Sequence, residues 1–156
     1  NIYLRNADLT TIFFRGSNLD GSDLSNSYLS NQYLLDTEMT NVILNYADLT
    51  NTQFFDMNLE GSSFIYAELN QTFFSNVNLD DTSLAYSNLI SSTFQFCMME
   101  DTFFAGSNLS SSVFISSQLR FTDFTNAITN NMQYNYSNSW LLVSWSDGFV
   151  YSATPT

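Results

Sequence analysis

The chain has 156 residues, with 15 acidic and 3 basic side chains and a formal net charge of −12. It contains no histidine, no lysine and a single cysteine, Cys97. This composition excludes histidine–carboxylate catalysis, lysine Schiff bases, zinc sites of the Cys/His type and an internal disulfide. Three arginines cannot neutralise a row of phosphates, so we expect no direct nucleic-acid binding. No apolar run approaches the roughly 20 residues of a membrane span.

A five-residue repeat dominates the sequence. From Leu4 to Phe124, every fifth residue is Leu, Phe or Met, and the residue two positions earlier is mostly small, with Gln32 and Met57 as bulky exceptions. A period of five fits neither an amphipathic helix, with its period of about 3.6, nor a flat strand, with its period of about 2. It predicts a chain that turns a corner every five residues, so that four repeats close one square coil. The large and the small residue then point inward and the other three face solvent.

Individual repeats also match a known pattern, A-(D/N)-L-x-x. Clear examples are Ala7-Asp8-Leu9, Ala47-Asp48-Leu49 and Ser107-Asn108-Leu109. In these motifs, over about residues 2–127, the sequence resembles the pentapeptide-repeat family. The resemblance implies an all-β fold, a right-handed quadrilateral β-helix (β-solenoid), here of about six coils. It implies little about activity, because the motif residues are the structural ones.

The chain is predicted to have two parts. Residues 1–127 carry the repeat, and residues 128–156 form a non-repeat aromatic segment. Two β-prone runs around Asp147-Gly148 predict a C-terminal β-hairpin in that segment. The segment either caps the last coil of its own chain or docks on a second subunit. The residues that we assign to such a docking surface are Trp140, Leu142 and Trp145.

Two outward columns are apolar. Residues 20 positions apart stack in a square coil, so outward side chains can be grouped into columns. Contiguous exposed apolar surface usually marks an interaction site, so we predict a protein interface here. The alternatives are a local failure of the inward/outward assignment and coverage of this face by the C-terminal segment. The predicted interface residues are Phe13, Tyr33, Leu35, Phe55, Phe73, Val113 and Ile115.

Another column is acidic. The predicted acidic stripe consists of Asp20, Glu60, Asp80, Asp81, Glu100 and Asp101. Like charges that stack in a ladder repel, so the stripe is a solvated face, a partner-binding face or a loose collector of Ca²⁺. Its spacing does not match a dedicated calcium loop, and we predict no cofactor and no metal site. Cys97 falls at a small inward position, which predicts a buried core thiol.

The ends of the solenoid are expected to differ. Asn1-Ile2-Tyr3-Leu4 is already in register, so the first coil has an open hydrophobic cross-section that we expect another subunit to cover. Docking of the C-terminal segment on that coil would give a head-to-tail filament, which does not close. Tail-to-tail docking would give a dimer.

These features predict a non-enzymatic structural or interaction protein that self-associates through its ends and its apolar side face, as a filament or a dimer. The family resemblance implies an alternative, because some members look like DNA in shape and charge. In that alternative, the chain is an acidic dimer that binds a type II topoisomerase and inhibits or protects gyrase. Ser, Thr and Asn make up more than a third of the chain, which favours an extracellular or surface location; the DNA-mimic alternative implies the cytoplasm.

Overall fold

The chain forms a stack of square coils in a computed structural model that describes residues 2–135, 139–145 and 150–153. Within those residues the secondary structure consists of short strands, isolated bridges and turns, with no helix. The strands are β1 (Tyr33–Leu35), β2 (Gln53–Phe55), β3 (Phe73–Ser75), β4 (Thr93–Gln95), β5 (Val113–Ile115), β6 (Gln118–Arg120), β7 (Asp123–Phe124), β8 (Gln133–Tyr134), β9 (Ser139–Trp145) and β10 (Val150–Ala153).

Strand pairing follows the 20-residue spacing of the coils. Strands β1 to β5 and β8 form one six-stranded parallel sheet, in which Leu34 pairs with Phe54, for example. The other sides are joined by isolated parallel bridges at the same spacing, such as that between Asp48 and Glu68. The predicted all-β quadrilateral solenoid is therefore confirmed.

We call the four sides of the coils faces A to D and identify each face by the large residue that points inward from it. Face C is the side with the six-stranded sheet, face A lies opposite to it, and faces B and D lie between them. The coil in the middle of the stack contributes Leu44 to face A, Leu49 to face B, Phe54 to face C and Leu59 to face D.

The core consists of the large residues of the repeat. From Leu9 to Phe124 each of them is at most 6% exposed. Under face C the rings of Phe54, Phe74, Phe94 and Phe114 stack with successive centroids 4.8 Å apart. This distance equals the spacing of paired strands, because each ring sits on one coil.

The small residues of the repeat are often Ser or Thr for a chemical reason. In coil after coil their hydroxyl donates to the carbonyl oxygen 23 residues earlier, at a corner of the preceding coil, and so satisfies a buried acceptor. Hydroxyls that do so belong to Thr37, Thr52, Ser62, Thr72, Thr82, Ser92, Thr102, Ser117 and Thr122.

Removal of one such hydroxyl should cost measurable stability. Thr102 Oγ1 lies 2.8 Å from Leu79 O and is fully buried. We expect Thr102→Val, which keeps the shape, to lower the free energy of unfolding by about 1 kcal/mol, because the carbonyl loses a partner. Thr102→Ser keeps the donor and should lose less. Urea unfolding measures both, and a valine variant as stable as the serine variant would contradict the role of the hydroxyl.

The corners explain the Asp or Asn of the motif. Asp8, Asp48 and Asn108 each accept the backbone N–H two residues further on through their side-chain oxygen, at 3.0–3.2 Å. The residue two after the large one has a positive φ at nearly every corner, between 51° and 62° where it is not glycine. This corner position lies three residues after the Asp or Asn of the motif. Asn and Asp tolerate its left-handed conformation best, so their frequency at the corner position is also a backbone requirement.

The C-terminal segment caps its own chain. Strand β9 runs parallel to β6 and β7, and β10 returns antiparallel to β9, so the predicted hairpin is confirmed by its two strands. Val143 is fully buried, and Trp145 stacks on Phe124 with ring centroids 4.6 Å apart. The turn at Asp147-Gly148 lies outside the described residues.

The backbone continues to stack past the end of the apolar register. Ile128 bridges to Asn108, and β8 pairs with β5. In this last stretch Tyr134 occupies the position of the large inward residue but is 59% exposed. The predicted boundary at residue 127 thus marks a change in the side chains, and the coiled backbone extends to about Asn135.

Candidate interaction surface

Face C exposes an aromatic cluster. Phe13 is 96% exposed, and Tyr33 follows one coil later in the same column. The Tyr33 ring lies 4.9 Å from that of Phe55, which in turn lies 5.5 Å from that of Phe73. Leu35, Phe55 and Phe73 are half-buried, and these ring contacts account for part of that burial. The outward orientation predicted for these residues is correct.

The apolar surface of face C has two parts. Val113 and Ile115 also point outward from β5, half-buried. Between them and the aromatic cluster, β4 presents Thr93 and Gln95. In the C-terminal segment, β9 pairs with β6 and β7 on faces D and A, whereas β8 pairs with β5 and continues the sheet of face C.

Face C also differs from the other faces in charge. Between its corners, its outward positions carry no Asp or Glu, and its charged residue is Arg15. Faces A and B each carry at least two carboxylates in the same positions, such as Asp23 on face A and Asp48 on face B. The side of the solenoid with the aromatic cluster is therefore the side with the least negative charge.

Face D and its two corners carry most of the acidic residues. The stripe residues Asp20, Glu60, Asp80 and Glu100 stack along face D, and Asp81 and Asp101 follow them at the corner to face A. Sequence reasoning missed three further carboxylates beside them, although two of the three are separated by 20 residues, the length of one coil. These are Asp36 and Asp56 at the corner to face C and Glu38 on face D.

Part of this acidic surface has a structural role. The carboxylate of Asp80 accepts the backbone N–H of Glu100 at 2.7 Å, and that of Asp20 accepts the N–H of Thr40 at the same distance. Burial raises the pKa of Asp80, and the neighbouring carboxylates of Glu100 and Glu60 raise it further. Two salt bridges relieve the repulsion: Arg120 lies 3.1 Å from Glu100 towards the C-terminal end, and Arg15 lies 3.0 Å from Asp36 at the corner to face C.

The thiol of the chain lies in the core of the solenoid. Cys97 is buried, and burial raises the pKa of its thiol to about 12, so it is unreactive at neutral pH. In the described part of the chain, no group of three or more Cys, Asp or Glu side chains is placed to hold a metal ion. The same residues include no helix long and apolar enough to cross a membrane.

The ion pair on face A makes stability depend on pH. The Asp23 carboxylate lies 2.6 Å from Arg5 Nε and 2.7 Å from Ser25 Oγ, and these hydrogen bonds lower its pKa to about 2. Because the folded-state pKa is below the unfolded one, its contribution is complete above about pH 4 and is lost as the pH falls towards 2. We expect Asp23→Asn to flatten the melting temperature between pH 4 and pH 2. Asp48→Asn is the control, and an unchanged pH profile of the Asp23 variant would contradict the role of the ion pair.

Residues of the C-terminal segment do not all lie where a partner could reach them. Trp145 rests on Phe124 of its own chain and is partly buried. Trp140 and Leu142 lie in β9, and their side chains are outside the described part of the structure. A contact of these three residues with a second subunit therefore stays a prediction.

Three solved structures of other proteins align with this chain. A pentapeptide repeat protein from the thylakoid lumen of Arabidopsis thaliana aligns with a TM-score of 0.61 and 25% identity, over 64% of this chain and 69% of its own. HetL, a pentapeptide repeat protein involved in heterocyst differentiation regulation in the cyanobacterium Nostoc sp. strain PCC 7120, aligns with a TM-score of 0.37 and 16% identity, over 96% and 92%. QnrB1, a plasmid-mediated fluoroquinolone resistance protein, aligns with a TM-score of 0.34 and 14% identity, over 86% and 90%.

Sequence comparison gives the family. No curated protein sequence matches the chain significantly. The sequence pattern of pentapeptide repeats matches in eight copies, within four overlapping ranges that together span residues 1–128 without interruption: 1–31, 22–61, 58–95 and 87–128. These matches cover the coils whose geometry is described above, and the chain belongs to the pentapeptide repeat family.

Proposed function

We propose that this protein is a non-enzymatic interaction scaffold that self-associates through face C and through its ends. The observation that carries the proposal is the aromatic cluster of face C. Tyr33, Phe55 and Phe73 lie on its parallel sheet, and Phe13, one coil before the sheet begins, is almost fully exposed. Burial of apolar surface lowers the free energy by about 25 cal/mol for every Å² removed from water, so burial of this cluster favours association. The stacked rings beneath it keep the face rigid, which lowers the entropy lost on binding.

The ends contribute through unpaired backbone. Strand β10 is the outermost strand of the described C-terminal sheet, so its free edge offers hydrogen bonds to another strand. Two such edges would join two chains tail to tail. Pairing of this edge with the first coil of the next chain would build a head-to-tail filament.

Matched tyrosine variants test the role of face C in self-association. Tyr33 on face C and Tyr28 on face B occupy the same position of adjacent repeats, and both are more than half exposed. In the column of Tyr33 the next residue is Gln53, so glutamine fits the backbone there. Sedimentation velocity over a range of concentrations should show association of the native chain, weakened by Tyr33→Gln and unchanged by Tyr28→Gln.

The outcomes are distinct. A native chain that stays monomeric at every concentration would overturn self-association altogether. Equal behaviour of the two tyrosine variants would remove face C from the proposal. Negative-stain electron microscopy of the same samples distinguishes filaments from discrete short particles, and only filaments support the head-to-tail arrangement.

A second candidate rests on the acidic surface of face D, with nine carboxylates on the face and its corners. Such a surface resembles a run of phosphates, so we propose as the alternative that the protein binds the DNA-binding surface of a type II topoisomerase. A gyrase supercoiling assay tests this: the native chain should inhibit or protect the enzyme, and Glu60→Gln, Asp80→Asn and Glu100→Gln together should abolish the effect. A triple amide variant of face B, with Asp8→Asn, Asp48→Asn and Glu68→Gln, changes the net charge equally and should keep it.

A further inference from the structure

We infer that two copies of this chain pair face C to face C with their solenoid axes parallel, related by a two-fold axis along the stack. The inference rests on the proposed self-association and adds to it the identity of the partner and its orientation. Charge, shape and the arrangement of the corners each support it.

The distribution of charge selects the paired face. Two chains with a net charge of −12 repel each other, and they approach most easily where negative charge is lowest. Face C carries no carboxylate between its corners, whereas each of the other faces carries at least two. Face C therefore has both the apolar side chains that favour association and the smallest electrostatic repulsion against it.

The shape of face C suits sheet packing. Its six strands are in register at a constant spacing of 20 residues, so their side chains form two straight columns, one from Tyr33 and the other from Leu35. Phe13 and Arg15 precede these two columns by one coil, before the sheet begins. Two such sheets pack face to face about 10 Å apart. Face C is only about 10 Å wide and about 30 Å long, roughly 300 Å² in each copy, which is below the 800 Å² of a standard interface. We therefore expect a weak dimer.

The parallel arrangement matches the columns of the two copies. A two-fold axis along the stack places the Phe13 column of one chain opposite the Arg15 column of the other, coil by coil. Apolar residues then meet apolar residues in the coils of Tyr33 with Leu35 and of Val113 with Ile115, and in the coils between them Phe55 and Phe73 lie opposite Gln53 and Ser75. In the first coil, Phe13 lies opposite Arg15 of the second copy, whose guanidinium is ion-paired with its own Asp36 at 3.0 Å.

The corners favour the same arrangement. Asp36 and Asp56 project at the corner between faces C and D. In the parallel pair these carboxylates lie opposite the corner between faces B and C, where the corresponding residues are Asn31 and Asn51. An antiparallel pairing that overlaps the aromatic clusters would instead bring the two aspartate corners together. Because Asp36 is ion-paired with Arg15 of its own chain, the repulsion there comes chiefly from Asp56.

Matched glutamate variants test the paired face. Thr93 on face C and Ser83 on face A lie in the same coil on opposite sides, and both are half-buried outward residues. Thr93→Glu and Ser83→Glu each add one negative charge. Sedimentation equilibrium between about 5 and 500 µM should show a dimer of the native chain that weakens at least about tenfold in Thr93→Glu and is retained in Ser83→Glu. Added salt should strengthen the native dimer, because it screens like charges.

Crosslinking tests the orientation. Cys97 is buried and unreactive, so a cysteine introduced at the surface is the reactive thiol of the variant. Gln133 is exposed in the last coil of face C, so Gln133→Cys should crosslink to its own copy with a short bismaleimide in a parallel pair. An antiparallel pair with full overlap would separate the two thiols by about 30 Å and give no product. Ser83→Cys on face A is the control and should not crosslink.

The results separate this inference from the proposed function. If the native chain associates and the two glutamate variants behave alike, self-association stands and pairing through face C is overturned. If Thr93→Glu alone dissociates but Gln133→Cys does not crosslink, the parallel orientation is overturned. A native chain that is monomeric at all concentrations and salt levels overturns both proposals.

Discussion

Phe104→Ala should destabilise the protein by about 4 kcal/mol, because it opens a cavity among the stacked aromatic rings of the core. Phe104 is fully buried. Its ring stacks on Phe124 at 5.0 Å and meets the edges of Phe94 and Phe114 at 5.6 and 6.0 Å. The rings around the cavity belong to successive coils whose backbones are tied by hydrogen bonds, so they cannot collapse into it. A loss of this size is a large part of the 5–15 kcal/mol that stabilises a typical domain.

The neighbouring residue gives the control. Phe103 precedes Phe104, points outward from face A and is 45% exposed. Phe103→Ala removes the same atoms from the surface and should cost far less stability. Equilibrium urea unfolding measures both variants, and similar losses for the two would show that the core is not packed as described.

Val143→Asp should detach the C-terminal cap at a cost of about 3 kcal/mol, because an unpaired charge cannot remain in a core. Val143 is fully buried in β9, beside Trp145, which covers Phe124. Loss of the cap would expose this end of the stack to solvent. The variant should therefore have a lower melting temperature, increased tryptophan exposure and a tendency to aggregate.

An exposed apolar residue near the same end serves as the comparison. Ile128 lies on face B and is 49% exposed, so Ile128→Asp adds the same charge where it remains hydrated. This variant should keep its fluorescence and its melting temperature within a few degrees. If Val143→Asp were equally mild, β9 would not cap its own chain, and docking of the segment on a second subunit would gain support.

The coils could be predicted from sequence because the signal is local and repeated. A large apolar side chain marks the inward position at Leu24, Leu44 and Phe54 alike, so every coil provides the same evidence for the five-residue period. The backbone then has little freedom, since any other path would expose those residues. For the same reason the outward columns, including the cluster around Phe55 on face C, were predicted at the correct positions.

Features that depend on contacts between distant residues could not be predicted. In β9, Ser139 pairs with Gln118, so the offset grows from 20 residues to 21 and the five-residue register no longer applies. No residue pattern around Ser139 indicates that it pairs with Gln118. Ile12 shows a related limit: it occupies the inward position that is mostly small in other repeats but is 44% exposed.

The number of residues in each repeat and the number of repeats in each coil have separate consequences for how such a chain can change. Insertion or deletion of five residues keeps every large side chain inside, and the fold survives. It also turns everything downstream by a quarter of a coil, so that residues after the change move to the next face. A five-residue deletion after Phe55 would carry the outward residues of β5 off face C and interrupt its two columns of outward side chains without carboxylates. Only changes in steps of 20 residues lengthen or shorten the rod while every face keeps its own chemistry.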